Sequence, residues 1–169
     1  MSFLDRLFGR ARKPSAVPAA QLHAALRERV LAWTGPPAGT GGGDAVFGVV
    51  VDLGLGGATI TVVALADGTT SLYTSTGGGV IGAGARPAVA AASRALIAEA
   101  ERGRALLAPG WSDVPIGEGE ARLIALAPSG SAAATGWAGT LAAGGEPLSP
   151  MFGAANELIT QLRTASRVR

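Results

Sequence analysis

Apolar residues recur along this chain in two different periods, and the changes of period divide it. Phe3, Leu4, Leu7 and Phe8 fall on one side of a helix, so residues 1–13, MSFLDRLFGRARK, read as a short amphipathic helix. Residues 14–18, PSAVP, hold two prolines and read as a linker. Leu22, Leu26, Val30 and Trp33 return at helical spacing and predict a second helix over 19–33. Residues 34–44, TGPPAGTGGGD, show no period and read as a loop. From Val46 the pattern becomes that of strands. Val46–Asp52 is an apolar run, LGLGG a turn, Ala58–Ala66 a second run, and the Asp-Gly pair at 67–68 a hairpin signal. Thr69–Thr76 alternates and completes an antiparallel meander. Helical spacing resumes over Pro87–Arg102, with Val89, Leu96, Ile97 and Ala100 on one face and Pro87 suited to a first turn. Residues 103–119 are irregular. Ala121–Ala127 and Ser131–Leu141 read as a fourth and a fifth strand, and LSPMFGAANELITQLR as a last helix capped by Ser149.

These elements predict an α+β fold: a two-layer domain over residues 19–169, with an antiparallel sheet of about five strands packed against helices. The helices at 87–102 and 149–165 are expected to cover one face. The 169 residues are 48% apolar, enough for a real core, and with aromatics at only 5% that core must be built from small aliphatic side chains. Val46–Ala66 has the length of a membrane span, but Asp52, internal glycines and many β-branched residues make it a hairpin. No signal-peptide pattern precedes it, and a cytoplasmic location, or a peripheral one at the membrane, is expected.

The formal charge is +2, and much of the positive charge lies at the ends: Arg6, Arg10, Arg12 and Lys13, then Arg163, Arg167 and Arg169. A basic stripe with interleaved aromatics is not visible, so nucleic acid is not an expected partner. The sequence has no cysteine and one histidine, which argues against disulfides, thiol catalysis and a metal site. His23, between Leu22 and Leu26, reads as a surface or half-buried helical residue rather than a base. Glu99 and Glu101 are two apart on a helix and do not face each other. Glu118 and Glu120, in GEGE, read as solvated. Asp52 stands out because it ends an apolar strand beside a glycine turn, the place of a turn-capping carboxylate.

The stretch TSTGGGVIGAGARP at 74–87 spells G-x-G-x-x-G at Gly77, Gly79 and Gly82. A dinucleotide fold also needs a parallel βαβ unit and an acid about 20 positions on, at the end of the next strand. Here the preceding strand belongs to an antiparallel meander and Ala121–Ala127 carries no acid. The glycines therefore read as the geometry of a strand-to-helix corner. The alternative is a small-ligand or nucleotide site centred on Asp52, Thr76, Gly77, Gly78, Gly79 and Arg86, in which the amides from Ser75 to Gly79, with Arg86 nearby, hold an anion. GVVVDLGLGGATITVVAL at 48–65 resembles the first phosphate-binding hairpin of the sugar-kinase, Hsp70 and actin superfamily. The resemblance matches Asp52 to a metal-associated aspartate and Gly54, Gly56 and Gly57 to the turn under the phosphates. That superfamily needs two large lobes, for which this chain has no room.

VALADGTTSLYTSTGGGVIGAG, taken with PLSPMFGAANELITQLR, resembles a family of small uncharacterised bacterial proteins, a domain of unknown function. The resemblance covers roughly residues 45–165 and implies that the glycine corner and the last helix belong to one domain. It brings no activity and no catalytic residues. At the level of fold the layout is similar to profilin-like and roadblock-like sandwiches, which serve as dimeric scaffolds. The expected function is that of a non-enzymatic protein-interaction or scaffold module, without cofactor or metal, whose partner is another protein or a second copy of itself. Phe3, Leu4, Leu7 and Phe8, followed by Arg10, Arg12 and Lys13, form its contact segment. Three roles fit that segment: a membrane surface, a partner's groove, or docking on its own domain.

Overall fold

The computed structural model describes residues 17–36 and 42–167. The amphipathic segment 1–13, with Phe3, Leu4, Leu7, Phe8, Arg10, Arg12 and Lys13, lies outside the described residues, as do 14–16, 37–41 and 168–169. The described elements are α1 (Ala19–Leu31), β1 (Gly48–Leu55), β2 (Ala58–Leu65), β3 (Thr70–Thr74), β4 (Gly79–Ile81), α2 (Pro87–Arg102), β5 (Ala108–Pro109), β6 (Glu120–Ala127), β7 (Gly130–Trp137), α3 (Ala138–Ala143) and α4 (Ser149–Arg167). The strands form one seven-stranded sheet in the order β4-β3-β2-β1-β6-β7-β5. Every neighbouring pair is antiparallel. The fold is α+β, as the periodicity predicts.

The predicted meander is present as β1-β2-β3. Gly56 and Gly57 form its first turn with φ of 63° and 73°, the two-residue geometry that matches the twist of the flanking strands. At the second turn Gly68 has φ 90°, and Asp67 Oδ1 accepts from the Thr69 N–H at 2.8 Å. The sheet has seven strands rather than about five because β4 and β5 are three and two residues long, too short to show alternation. The predicted fifth strand ends at Trp137. The chain then turns into α3, whose Leu141 is buried and packs where a Gly136 side chain would stand.

Alternate residues of each strand face opposite sides of the sheet. On one side Val49, Val51, Val62, Leu123 and Ala125 pack against Val89 and Leu96 of α2 and Leu158 and Leu162 of α4. Burying a Leu fully is worth about 1.5–3 kcal/mol, and Leu96, Leu158 and Leu162 are all fully buried, so this side holds the main core. On the other side Phe47, Val50, Val63, Leu65, Ile124 and Leu126 meet α1 through Leu31, with Leu26 and Val30 partly buried. The domain therefore has three layers rather than two.

The α1 face differs from the predicted one. Leu22 and Trp33 are 52% and 43% exposed, whereas His23 is only 8% exposed. The helix is turned so that a polar side chain points inward, because the strip of sheet below it is itself polar.

Candidate functional site: a cleft beneath the first helix

Three apolar strands carry polar residues in their interior: Asp52 in β1, Thr61 with Thr59 in β2, and Arg122 in β6. The register sets them side by side. Asp52 lies opposite Thr61 on one flank and opposite Arg122 on the other, and Thr61 lies opposite Tyr73 of β3. The row Tyr73–Thr61–Asp52–Arg122 thus crosses four strands on the α1 side of the sheet. His23 and Arg27 are four residues apart, one above the other on the same face of α1, and both reach this row.

Asp52 is 1% exposed. Its Oδ1 accepts from Thr61 Oγ1 at 2.7 Å, and its Oδ2 accepts from Arg27 Nε at 2.8 Å, with Arg27 Nη2 2.7 Å away. Thr61 Oγ1 also lies 2.9 Å from His23 Nε2. The threonine has one hydroxyl hydrogen, and the carboxylate can only accept. That hydrogen therefore goes to Asp52, and His23 Nε2 is the donor to Thr61. Burial pushes the His23 pKa below its ordinary value; the nearby Arg27 charge adds to this and Asp52 opposes it. The ring is consequently neutral near pH 7, carrying its proton on Nε2. Tyr73 stands edge-on to it, with ring centroids 5.3 Å apart. Burial and the Asp52 charge both push the Tyr73 phenol above its usual range.

The segment 111–116 closes the far side of this strip. Trp111 lies under the Arg27 guanidinium, 5.1 Å from its ring centroid, an attractive cation–π arrangement. Asp113, at the rim, lies 3.9 Å from Arg27 Nη1. Arg122 donates to the Ser112 carbonyl at 3.0 Å and to the Val114 carbonyl at 2.7 Å. Between α1, the sheet row and this segment is a cleft of about 630 Å³. Thr61 is fully buried and spends its hydrogen on Asp52, so it is not placed as a nucleophile. Asp52 is neutralised by Arg27, and His23 is engaged as a donor. These groups key α1 to the sheet rather than standing ready for proton transfer.

The other residues singled out by sequence are placed elsewhere. The glycine run is a hairpin between β3 and β4, not a strand-to-helix corner. Thr74 N–H donates to the Gly78 carbonyl at 3.2 Å, Gly77 N–H to the Thr74 carbonyl at 3.1 Å, and Thr74 Oγ1 to the Gly77 carbonyl at 2.6 Å. Ser75 is paired with Thr59 of β2. The three-residue β4 intervenes before α2, which is why the run fails as a helix-start cradle. Thr76, Gly77 and Gly78 are exposed at the turn, with Gly77 backed against Ala19. Gly79 and the exposed Arg86 line a separate cleft of about 570 Å³ together with Ser166 of α4. Asp52 belongs to the α1 cleft and is not brought to them.

The Gly56–Gly57 turn is also committed. Glu118 Oε1 accepts from Gly56 N–H at 2.9 Å and Oε2 from Gly57 N–H at 3.1 Å, which holds its carboxyl below the usual range. The amides that the phosphate-hairpin resemblance assigned to a nucleotide are thus occupied by the chain's own carboxylate, and Glu118 is not simply solvated. Glu120 accepts from the Gly117 N–H at 2.8 Å, and Glu101 from the Val46 N–H at 2.6 Å.

Arg27, Arg122 and Thr61 are the site residues that apolar periodicity passes over. Thr61 and Arg122 share the signal of Asp52, a polar residue set between apolar neighbours inside a strand, whereas Arg27, on α1, carries no such signal. Among the described residues no group of three His, Asp or Glu is placed to hold a metal, and no helix is long and apolar enough to cross a membrane. No protein-family model, curated protein or solved structure matches this chain.

Proposed function

We propose that the protein is a non-enzymatic protein-interaction module whose contact element is α1 together with the amphipathic segment before it. The observation that carries this reading is that α1 and its two flanks leave large apolar side chains exposed. Leu26, Val30 and Leu31 face the sheet, while Leu22 and the flanking Val17 and Trp33 remain exposed. Exposed apolar residues are common singly, but three on and beside one short helix form a surface of the kind that partners bury. In the sequence this helix is preceded by the apolar set Phe3, Leu4, Leu7 and Phe8. The mutual pairing of His23, Thr61, Asp52 and Arg27 supports a role in holding the helix rather than in catalysis.

The test is native mass spectrometry of the full-length protein, purified gently from its own cells, beside Leu22→Glu and Phe8→Glu variants. The expected wild-type result is a homo-oligomer or a complex with another protein. Each variant should lose it while its Tm stays within about 2 °C, as surface substitutions usually do. A bare wild-type monomer, or variants that keep the complex intact, would overturn the reading.

A further inference from the structure

We propose that the cleft beneath α1 is a binding site for a small monoanion, a carboxylate or phosphate group on an apolar body, received by Arg122. This goes beyond the interaction surface above and stands independently of it, since it concerns the inner side of α1 and not the outer.

The argument starts from charge. Among its buried lining groups the cleft has two guanidinium groups, Arg27 from α1 and Arg122 from the sheet, and one carboxylate, Asp52. Asp52 is bonded to Arg27, although Arg122 is its direct cross-strand neighbour. His23 is held neutral by burial. The buried charge is therefore positive by one, and it resides on Arg122. That residue is 7% exposed, and among the described residues no carboxylate lies within ion-pair distance of it. Its only partners there are the carbonyl oxygens of Ser112 and Val114. A guanidinium has five N–H donors in a planar fork, so further donors remain for an oxyanion. A desolvated cation is costly without a counter-charge, and an anion bound beside it gains what water no longer supplies.

Shape and surroundings narrow the class. A volume of about 630 Å³ lies within the range of small-molecule sites. Leu31, Trp111, Pro115 and Ile116 give the cleft an apolar wall for the body of the ligand. Glu28 and Asp113 also line it, and both are exposed. Two rim carboxylates repel a polyanion, so a singly charged head group fits and a nucleoside triphosphate does not.

The probes are benzoate and the diester methyl phenyl phosphate, each singly charged at neutral pH, with benzyl alcohol as the uncharged counterpart, titrated calorimetrically into the full-length protein. At least one anion should bind at least about tenfold more tightly than benzyl alcohol, the difference expected of a charge-assisted bond in a desolvated site. Comparison of the two anions tells carboxylate from phosphate. Arg122→Gln, which retains donors for the two carbonyls, should weaken the anion about tenfold or more, and Arg122→Lys should restore part of the loss. Should Arg122→Gln fail to fold, wild-type NMR decides: the Trp111 indole and His23 ring signals should shift with the anion and not with benzyl alcohol. Equal binding of benzyl alcohol, unchanged affinity in a folded Arg122→Gln, or no heat and no Trp111 shift up to about 10 mM anion, the limit of weak specific binding, would overturn the proposal.

Discussion

Replacing Asp52 by Asn tests whether the polar row fixes α1 to the sheet. The substitution keeps the shape and leaves an acceptor for Thr61, but removes the charge that faces Arg27. The Arg27 side chain is 13% exposed and that of Asp52 2%, so solvent screens the pair poorly. At 2.7 Å the Coulomb attraction is about 6 kcal/mol for an effective dielectric near 20. Not all of it is lost. Arg27 Nη1 already lies 3.9 Å from the exposed Asp113, and the guanidinium keeps its place over Trp111. Stranding one partner of a buried pair usually costs about 3–5 kcal/mol, and the lower end is expected here. For a chain of this length that lowers Tm by about 6–12 °C. Urea unfolding followed by circular dichroism gives the free energy. Combining Asp52→Asn with Arg27→Gln in a double-mutant cycle isolates the pair, with a coupling of about 2 kcal/mol expected. A loss below about 1 kcal/mol, or a coupling near zero, would refute the view that this pair is desolvated and anchors the helix.

Four further outcomes follow from the structure. Above pH 6.5 His23 is neutral whether the chain is folded or unfolded; below it the unfolded chain takes up a proton that the buried ring resists. Stability should therefore fall as pH drops below about 6.5, and His23→Gln, which keeps a donor for Thr61, should flatten that slope between urea midpoints taken near pH 7.5 and about 5.5. Gly54→Ala would drive a methyl into the Gly117 carbonyl and should cost at least about 2 kcal/mol in chemical unfolding. Gly78→Ala, which meets no atom within 4 Å but keeps φ near 88°, should cost only about 1 kcal/mol. Glu118→Gln should speed hydrogen exchange at the Gly56 and Gly57 amides, and in the wild type the Glu118 carboxyl should titrate below the usual range by carbon-detected NMR.

Much of the fold was legible because it is governed by burial of apolar side chains. The meander β1-β2-β3 was announced by apolar runs and two glycine turns, and α2 and α4 by stripes that do face the main core. What escaped was governed by something else. β4 and β5 are held by neighbours, and their two or three residues carry no period of their own. The inward face of α1 was misjudged because periodicity counts Leu22 and Trp33 and ignores His23 and Arg27, whereas here polar residues meet polar residues. The candidate site was legible only at Asp52. Thr61 is only nine residues on, across the β1-β2 hairpin, but the relation to Arg122 depends on strand register between segments seventy residues apart. The glycine run was read as a strand-to-helix corner, and its actual setting, a hairpin, hung on β4.

Away from the polar row, the side of the sheet under α1 is apolar, with Phe47, Val50, Val63, Leu65, Ile124 and Leu126, and apolar contact is non-directional. A shift of α1 by a single turn would exchange few apolar contacts, yet it would move His23 and Arg27 about 5.4 Å from Thr61 and Asp52. The polar row therefore acts as an indexing notch: it penalises slippage more than it deepens the native minimum. An Asp52→Val, Arg27→Leu double variant is expected to melt no lower than the native protein, since well-packed apolar residues often equal a buried ion pair. Its α1 amide resonances should nonetheless broaden or double as the helix samples more than one seat. Uniqueness of the α1 position, rather than strength of attachment, is what the buried charges of this small domain supply.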